Sequence, residues 1–313
     1  PLYVGFMGMH GNIASNVMIQ EADLIIAAGM RFSDRVTGHL PSFAPKAKII
    51  HIDIDRSEFD KTVKSDLHLH GDAATILSAI TPERELPKRG EWLLFMEEKK
   101  LLERELVIDP LFNQKGSNRI TMAQLVDKVT SISKGDQVIV TDVGQHQMFC
   151  ARYSKFSRGR SLISSGGLGT MGFGLPAAVG AKVGVPHRRV VAILGDGGFQ
   201  MTLQELGTIV QSGIDLKIVV VNNSYLGMVR QWQELFFEKR YSHTEIVNPN
   251  FPLLAKAYGI ESAQISQIGE LDSAIETMFN HRGAYLLEVV VEREENVFPM
   301  VPLGSSIEKM IYN

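Results

Sequence analysis

Two unbroken apolar runs, each ending in turn residues, organise the second half of this chain. Val190-Val191-Ala192-Ile193-Leu194 empties into Gly195-Asp196-Gly197-Gly198, and Lys217-Ile218-Val219-Val220-Val221 empties into Asn222-Asn223. Short runs that are apolar at nearly every position suit strands buried on both faces. The segment 201–211 between them predicts a helix, with Gly213 placed to end it. Strand, helix and strand make a right-handed crossover, which would bring Asp196 and Asn223 to one carboxyl edge of a parallel sheet.

The same alternation runs through the rest of the chain. Residues 23–29 and 48–55 are short β-branched runs closed by glycine or acidic residues, flanked by helical patterns over 13–21 and 72–80. Residues 81–118 form a connector with a charged helix near 91–106. A second unit then begins with a helix over 121–131, a strand over 137–141 and a glycine-rich segment over 164–174. Helices near 252–258 and 270–281 and a strand over 284–291 complete it. The expected fold is α/β, with two Rossmann-like parallel-sheet units. Residues 1–82 form the first, 83–118 the linker, and 119–313 the second with a carboxyl-terminal tail.

Composition narrows the function classes. A formal charge of −3 gives no electrostatic case for nucleic acid or an anionic membrane. No apolar run approaches the ~20 residues of a membrane span. Cys150 is the only cysteine, so no intrachain disulfide forms, and its apolar neighbours Met148, Phe149 and Ala151 make it a small core residue. The start, Pro1-Leu2-Tyr3-Val4-Gly5, has no initiator methionine or signal peptide, and we expect a carboxyl-terminal portion of a larger protein. Gly5-Phe6-Met7-Gly8-Met9-His10-Gly11 lacks the G-x-G-x-x-G spacing of a nicotinamide site.

The strand ends carry the candidate chemistry. Asp196 offers a carboxylate oxygen and Asn223 an amide oxygen, hard donors suited to magnesium with phosphate oxygens and water. The glycines beside Asp196 allow close approach to a diphosphate. Taken singly, Gly-Asp-Gly and Asn-Asn are equally ordinary turn punctuation. His146 alone fits a core edge, Met171 between polar and glycine residues fits plain packing, and Met228 with Trp232 at helical spacing fits a core stripe.

Longer strings define a resemblance. Gly8-Met9-His10-Gly11, Asp34-Arg35-Val36-Thr37-Gly38, Asp142-Val143-Gly144-Gln145-His146-Gln147-Met148, Ser165-Gly166-Gly167-Leu168-Gly169-Thr170-Met171-Gly172 and Gly227-Met228-Val229-Arg230-Gln231-Trp232-Gln233 lead them. Together with the GDG and NN pair, the chain resembles the catalytic subunits of acetolactate synthase, thiamine diphosphate-dependent carboligases of branched-chain amino-acid synthesis. The resemblance implies a partial FAD-binding middle domain followed by a complete thiamine diphosphate-binding domain. It implies magnesium on Asp196, Asn223 and the Tyr225 carbonyl, and diphosphate contacts at Val143, Gly144, Gln145, His146, Gly195, Gly197 and Gly198. Met171 would prop the cofactor into a bent form, with Gly169 and Met228 beside it.

Trp232 would line the substrate pocket, and Arg35 would bind the second keto acid's carboxylate, oriented by Asp34. His10, Gly29, Arg31, Arg35, Asp53 and Asp72 would contact FAD. Ser33 departs from the family's RFDDRVTG string and weakens one polar contact. The implied reaction decarboxylates pyruvate and joins the two-carbon unit to pyruvate or 2-ketobutyrate. Glyoxylate carboligase, pyruvate oxidase and a non-catalytic cofactor-binding fragment are the alternatives. The implied assembly is a homodimer or homotetramer with shared sites and a possible small regulatory subunit, cytoplasmic in a bacterium and organellar in a eukaryote. The family's activating glutamate lies in an amino-terminal domain, so this chain alone is expected to be inactive.

Overall fold

The computed structural model describes residues 2–81, 88–114 and 116–312. The expected boundary at Pro82, linker residues 83–87 and Lys115 lie outside the described residues. The chain forms two compact units, Pro1–Pro110 with Phe298–Asn313, and Leu111–Val297.

The first unit is built on a parallel sheet of β1 (Leu24–Ala28), β2 (Lys48–Asp53) and β3 (Leu67–His70), in the order β1-β2-β3. Ile25 and Ala27 alternate inward to meet Phe32, Phe43 and Ile49, while Leu24 and Ile26 stay exposed. β3 pairs with β2 from Ile50↔Leu67 to Asp53↔His70. The sequence pattern missed it because its residues are partly exposed and polar. The helix Ile13–Glu21 begins where Glu103 accepts from the Ile13 amide at 2.8 Å and from Asn12 Nδ2 at 2.6 Å. Glu103 closes the helix Gly90–Glu103, so the helix expected in the linker packs inside this unit. The tail, which the sequence reading attached to the second unit, joins the first: Val301 N–H bonds Met9 O, and Ile307 fills the core beside Phe32.

The second unit holds six parallel strands: β4 (Val138–Thr141), β5 (Leu162–Ile163), β6 (Val190–Gly195), β7 (Lys217–Asn222), β8 (Glu261–Ile265) and β9 (Tyr285–Val290). Their order is β5-β4-β6-β7-β9-β8. Alternate residues feed two cores. Ile139, Val191, Ile193, Val219 and Val221 face one layer of helices, and Val140, Ala192, Leu194, Ile218 and Val220 face the other. Covering on both faces is why β6 and β7 are apolar throughout. Thr121 caps the helix Met122–Ile132 in a reciprocal bond with Gln124.

One expected helix differs. It starts at Asp196 rather than residue 201, and divides into Asp196–Thr202 and Glu205–Gln211. Extended Gly195 serves as the cap, so Asp196 enters the first helical turn. Among the described residues, no helix is long and apolar enough to cross a membrane.

Candidate functional site

Three neighbouring strands, β4, β6 and β7, end at one edge, and each is followed within a few residues by a helix. After β4, Asp142, Val143 and Gly144 turn the chain into the helix Gln145–Tyr153. Gly144 sits at φ 150°, a conformation glycine adopts without strain. β6 leads directly into Asp196, and β7 leads through Asn223 and Ser224 to the helix Gly227–Phe236. A cavity of about 230 Å³ lies between these turns. Its wall includes the first residues of two helices, Gln145 with His146 and Gly227 with Met228. Backbone N–H groups in a first helical turn have no intrahelical partner, and with the helix dipole they favour an anion.

Hard oxygens cluster on one side. Asp196 is almost wholly buried, and burial pushes its carboxyl up to about 6 against the hydrogen bonds it accepts. Its Oδ2 accepts from Ser224 N–H at 2.8 Å and from Asn248 Nδ2 at 2.7 Å, and its Oδ1 from Gly197 N–H at 3.0 Å. Asn223, also buried, bends around Ser224 so that its Oδ1 accepts from Tyr225 N–H at 3.2 Å. Ser224 takes φ 56° to make that turn. Among the described residues no three His, Cys, Asp or Glu side chains gather into a metal cage. One carboxylate, one amide oxygen and the Tyr225 carbonyl fit a magnesium ion, which keeps positions for phosphate oxygens and water.

The wall beside Gly144 and Gly195 fits a phosphate. His146 is buried, which pulls its imidazole down to about 4 and keeps it neutral. Among the described residues its Nε2 has no hydrogen-bond partner. A Cβ on Gly144 or Gly195 would come within 3.1 Å or 3.0 Å of the ring, so both glycines make room for it. A Cβ on Gly198 would lie 1.5 Å from Asp142 Oδ2, and one on Gly197 3.0 Å from Leu226. The Met171 methyl would lie 3.9 Å from that same Gly197 Cβ. A bare backbone, an orphaned ring nitrogen and two helix starts form a cradle for an anion held close to the chain.

Val143, Gly144, Gln145, His146, Gly169, Met171, Gly195, Asp196, Gly197, Gly198, Asn223, Tyr225 and Met228 all line this one cavity. Trp232 stands one helical turn past Met228 and is not in the wall; its ring packs on Phe236 at 5.0 Å. Cys150 is fully buried in the core, and burial raises its thiol pKa.

In the first unit, Gly29 follows β1, Asp53 ends β2 and Asp72 follows β3, so three of the expected flavin residues share the carboxyl edge of that sheet. Asp53 accepts from Asp55 N–H at 2.8 Å, and Asp72 caps the helix Ala73–Ile80 through Thr75 N–H at 2.9 Å. Arg31 is exposed, His10 is half-buried, and Arg35 is an exposed partner of Asp34 at 3.3 Å. Asn248 and Gln231 escaped the sequence reading. Asn248 sits in a plain Asn-Pro turn, and Gln231 was hidden by the tryptophan beside it.

Family comparison places these elements. Residues 1–80 match the thiamine pyrophosphate enzyme central domain, and residues 142–289 match the thiamine pyrophosphate enzyme C-terminal TPP binding domain. The chain belongs to the thiamine pyrophosphate enzymes, and every residue of the cavity wall except Met122 falls within the matched TPP-binding region. It is similar to the acetolactate synthase isozyme 2 large subunit of Escherichia coli (strain K12), at 44% identity over 99% of this chain and 55% of that protein. The acetolactate synthase large subunit of Lactococcus lactis is 40% identical over 99% of this chain and 53% of its own length. The mitochondrial acetolactate synthase catalytic subunit of Saccharomyces cerevisiae is 40% identical over 99% and 47%. The chain spans about half the length of these relatives.

Proposed function

We propose that this chain supplies the cofactor-holding part of an acetolactate synthase, which decarboxylates pyruvate and joins the two-carbon unit to pyruvate or 2-ketobutyrate in valine, leucine and isoleucine biosynthesis. The observation that carries the reading is the meeting of Asp196 and Asn223 at one sheet edge, in the cavity that His146 also lines. Similarity to acetolactate synthases over 99% of the chain supports the choice of reaction.

When bound, thiamine diphosphate supplies the electron sink through which a 2-keto acid loses carbon dioxide. Asp196, Asn223 and the Tyr225 carbonyl would hold magnesium. Val143, Gly144, Gln145 and His146 would meet the phosphate oxygens, with Gly195, Gly197 and Gly198 leaving room for close approach. His146 stays neutral at physiological pH and can donate from Nε2. Met171, with Gly169 and Met228 in the same wall, would support the bound cofactor from below its ring system. By the family resemblance alone, Trp232, which lies outside this cavity's wall, would favour the larger acceptor, and the Arg35 guanidinium would suit a carboxylate. FAD, if bound as the family resemblance implies, would be held by His10, Gly29, Arg31, Arg35, Asp53 and Asp72 and would take no part in the net redox balance. Relatives named large or catalytic subunits support a small regulatory partner, and the family supports a homo-oligomer.

The test is product analysis of the intact protein with pyruvate, thiamine diphosphate and Mg²⁺. Acetolactate should form, and 2-ketobutyrate should divert the two-carbon unit to 2-aceto-2-hydroxybutyrate. Asp196→Ala should abolish Mg²⁺-dependent cofactor binding by calorimetry. Acetate, peroxide or reduced flavin as the chief product would overturn the carboligase reading.

A further inference from the structure

We propose that Asn248 is the positioning residue that decides which oxygen of Asp196 meets the divalent cation, and through it the preference for magnesium over calcium. The inference rests on the cation site proposed above and adds to it a determinant of metal choice.

Asn248 lies in the loop Val247-Asn248-Pro249-Asn250, ahead of the helix Phe251–Ala257. Its Nδ2 donates to Asp196 Oδ2 at 2.7 Å and to Asn222 Oδ1 at 3.0 Å. Its Oδ1 accepts from Gln200 Nε2 at 2.8 Å. The amide therefore has one workable orientation. Reversed, its oxygen would face two acceptors and its nitrogen a donor. Asn222 is anchored in turn, because its Nδ2 donates to Glu288 Oε1 at 2.7 Å on β9. Asn248 thus ties the end of β6 to the end of β7.

The consequence falls on the carboxylate. Asp196 Oδ2 also accepts the Ser224 amide, so two donors occupy it. Among the described residues Oδ1 accepts from the Gly197 amide of its own turn at 3.0 Å, and the carboxylate's remaining backbone contact is its own N–H. A cation arriving at this side chain finds lone-pair capacity on Oδ1 and competes with two hydrogen bonds at Oδ2. The carboxylate is held to one-oxygen coordination. That suits the compact octahedral shell of magnesium and withholds the two-oxygen grip that calcium takes readily.

Asn248→Ala removes the side-chain donor and leaves Oδ2 with the Ser224 amide alone. Residues that orient a metal ligand typically change metal affinity by about 10- to 100-fold when removed. Titrating Mg²⁺, and separately Ca²⁺, into the intact protein with thiamine diphosphate, by calorimetry, reads both affinities. We expect Mg²⁺ binding to weaken by about tenfold or more, and Ca²⁺ binding to weaken less, so the ratio narrows. Asn248→Leu, close in volume, uncharged and without a donor, checks that volume is not the cause. Unchanged affinities, or equal losses for both ions, would overturn the proposal, including in a variant that melts early. If the unaltered protein bound thiamine diphosphate without any divalent ion, the cation site itself would fall. If it bound with the ion and Asn248→Ala matched it, only the role of Asn248 would.

Discussion

The side-chain amides of Gln145 and Gln231 are joined, Gln145 Nε2 donating to Gln231 Oε1 at 3.0 Å. Gln145 Nε2 also donates to Glu295 O at 2.9 Å. Gln231 is clamped to one backbone residue, accepting from Val297 N–H at 2.8 Å and donating to Val297 O at 3.0 Å. The nitrogen of Gln145 is therefore committed to the core, and its Oε1 is turned towards Gly227 at the cavity wall. A Cβ at Gly227 would stand 2.1 Å from that oxygen. We predict that Gly227→Ala displaces Gln145, breaks its two bonds and lowers thiamine diphosphate affinity by about tenfold, or 1.4 kcal/mol. Calorimetry with Mg²⁺ present measures it; wild-type affinity would show that the Gln145 position is not coupled to the cavity.

Gly198 and Gly169 should respond in opposite ways to alanine. At Gly198 the new Cβ would lie 1.5 Å from Asp142 Oδ2, a buried carboxylate with little room to retreat. At Gly169 nothing lies within 4 Å, and only the φ of 58° opposes a side chain. Overpacking a tight interior costs about 1–3 kcal/mol or more, and a left-handed alanine about 1–2 kcal/mol. Urea denaturation should rank Gly198→Ala as the less stable of the two; the reverse order would contradict the close contact.

How much of this was legible beforehand follows from where each residue sits. β6 and β7 were readable because a strand covered on both faces is apolar at every position. With those strands located, Asp196 and Asn223 at their ends were located too, because parallel strands share a carboxyl edge. β8 was not readable, since Glu261-Ser262-Ala263-Gln264-Ile265 forms the sheet's outer strand and is only partly buried. The helix Gly174–Gly184 was hidden by glycines whose weak propensity is overridden by packing, and Gln145–Tyr153 by the middling helix formers His146, Phe149, Cys150 and Tyr153. Asn248 was beyond reach for a different reason. Its contact with Asp196 depends on the path of a loop, which no periodicity encodes.

Cys150 should be chemically silent in the folded protein. It is fully buried against the core, and burial raises its thiol pKa, so little thiolate forms and no reagent reaches it. A colorimetric thiol reagent should find no reactive group in native buffer and one after denaturation. Prompt labelling of the native protein would mean that this core opens.

Two buried groups should shape stability with pH in opposite senses. His146 is pulled down to about 4, below its ordinary 6.5, so the unfolded chain takes up a proton that the fold refuses. Its contribution is intact above pH 6.5 and is lost as pH falls from there towards 4. Glu295 is pushed up to about 8 by burial, with Oε2 accepting from Met122 N–H at 2.8 Å and Oε1 unpartnered. Between its ordinary 4.5 and 8 the unfolded chain has released a proton that the fold retains, so stability falls as pH rises through that window and levels off above it. Glu295→Gln stays neutral throughout and keeps an acceptor for Met122. Relative to the unaltered protein, it should gain stability from pH 5 to pH 8, by an amount on the order of several kcal/mol, then hold constant. Asp142 and Asp196, also raised by burial, remain in both proteins and cancel in the comparison. Urea midpoints measured every half unit would show the widening gap. A difference independent of pH would place the Glu295 carboxyl in contact with water and remove the basis of the prediction.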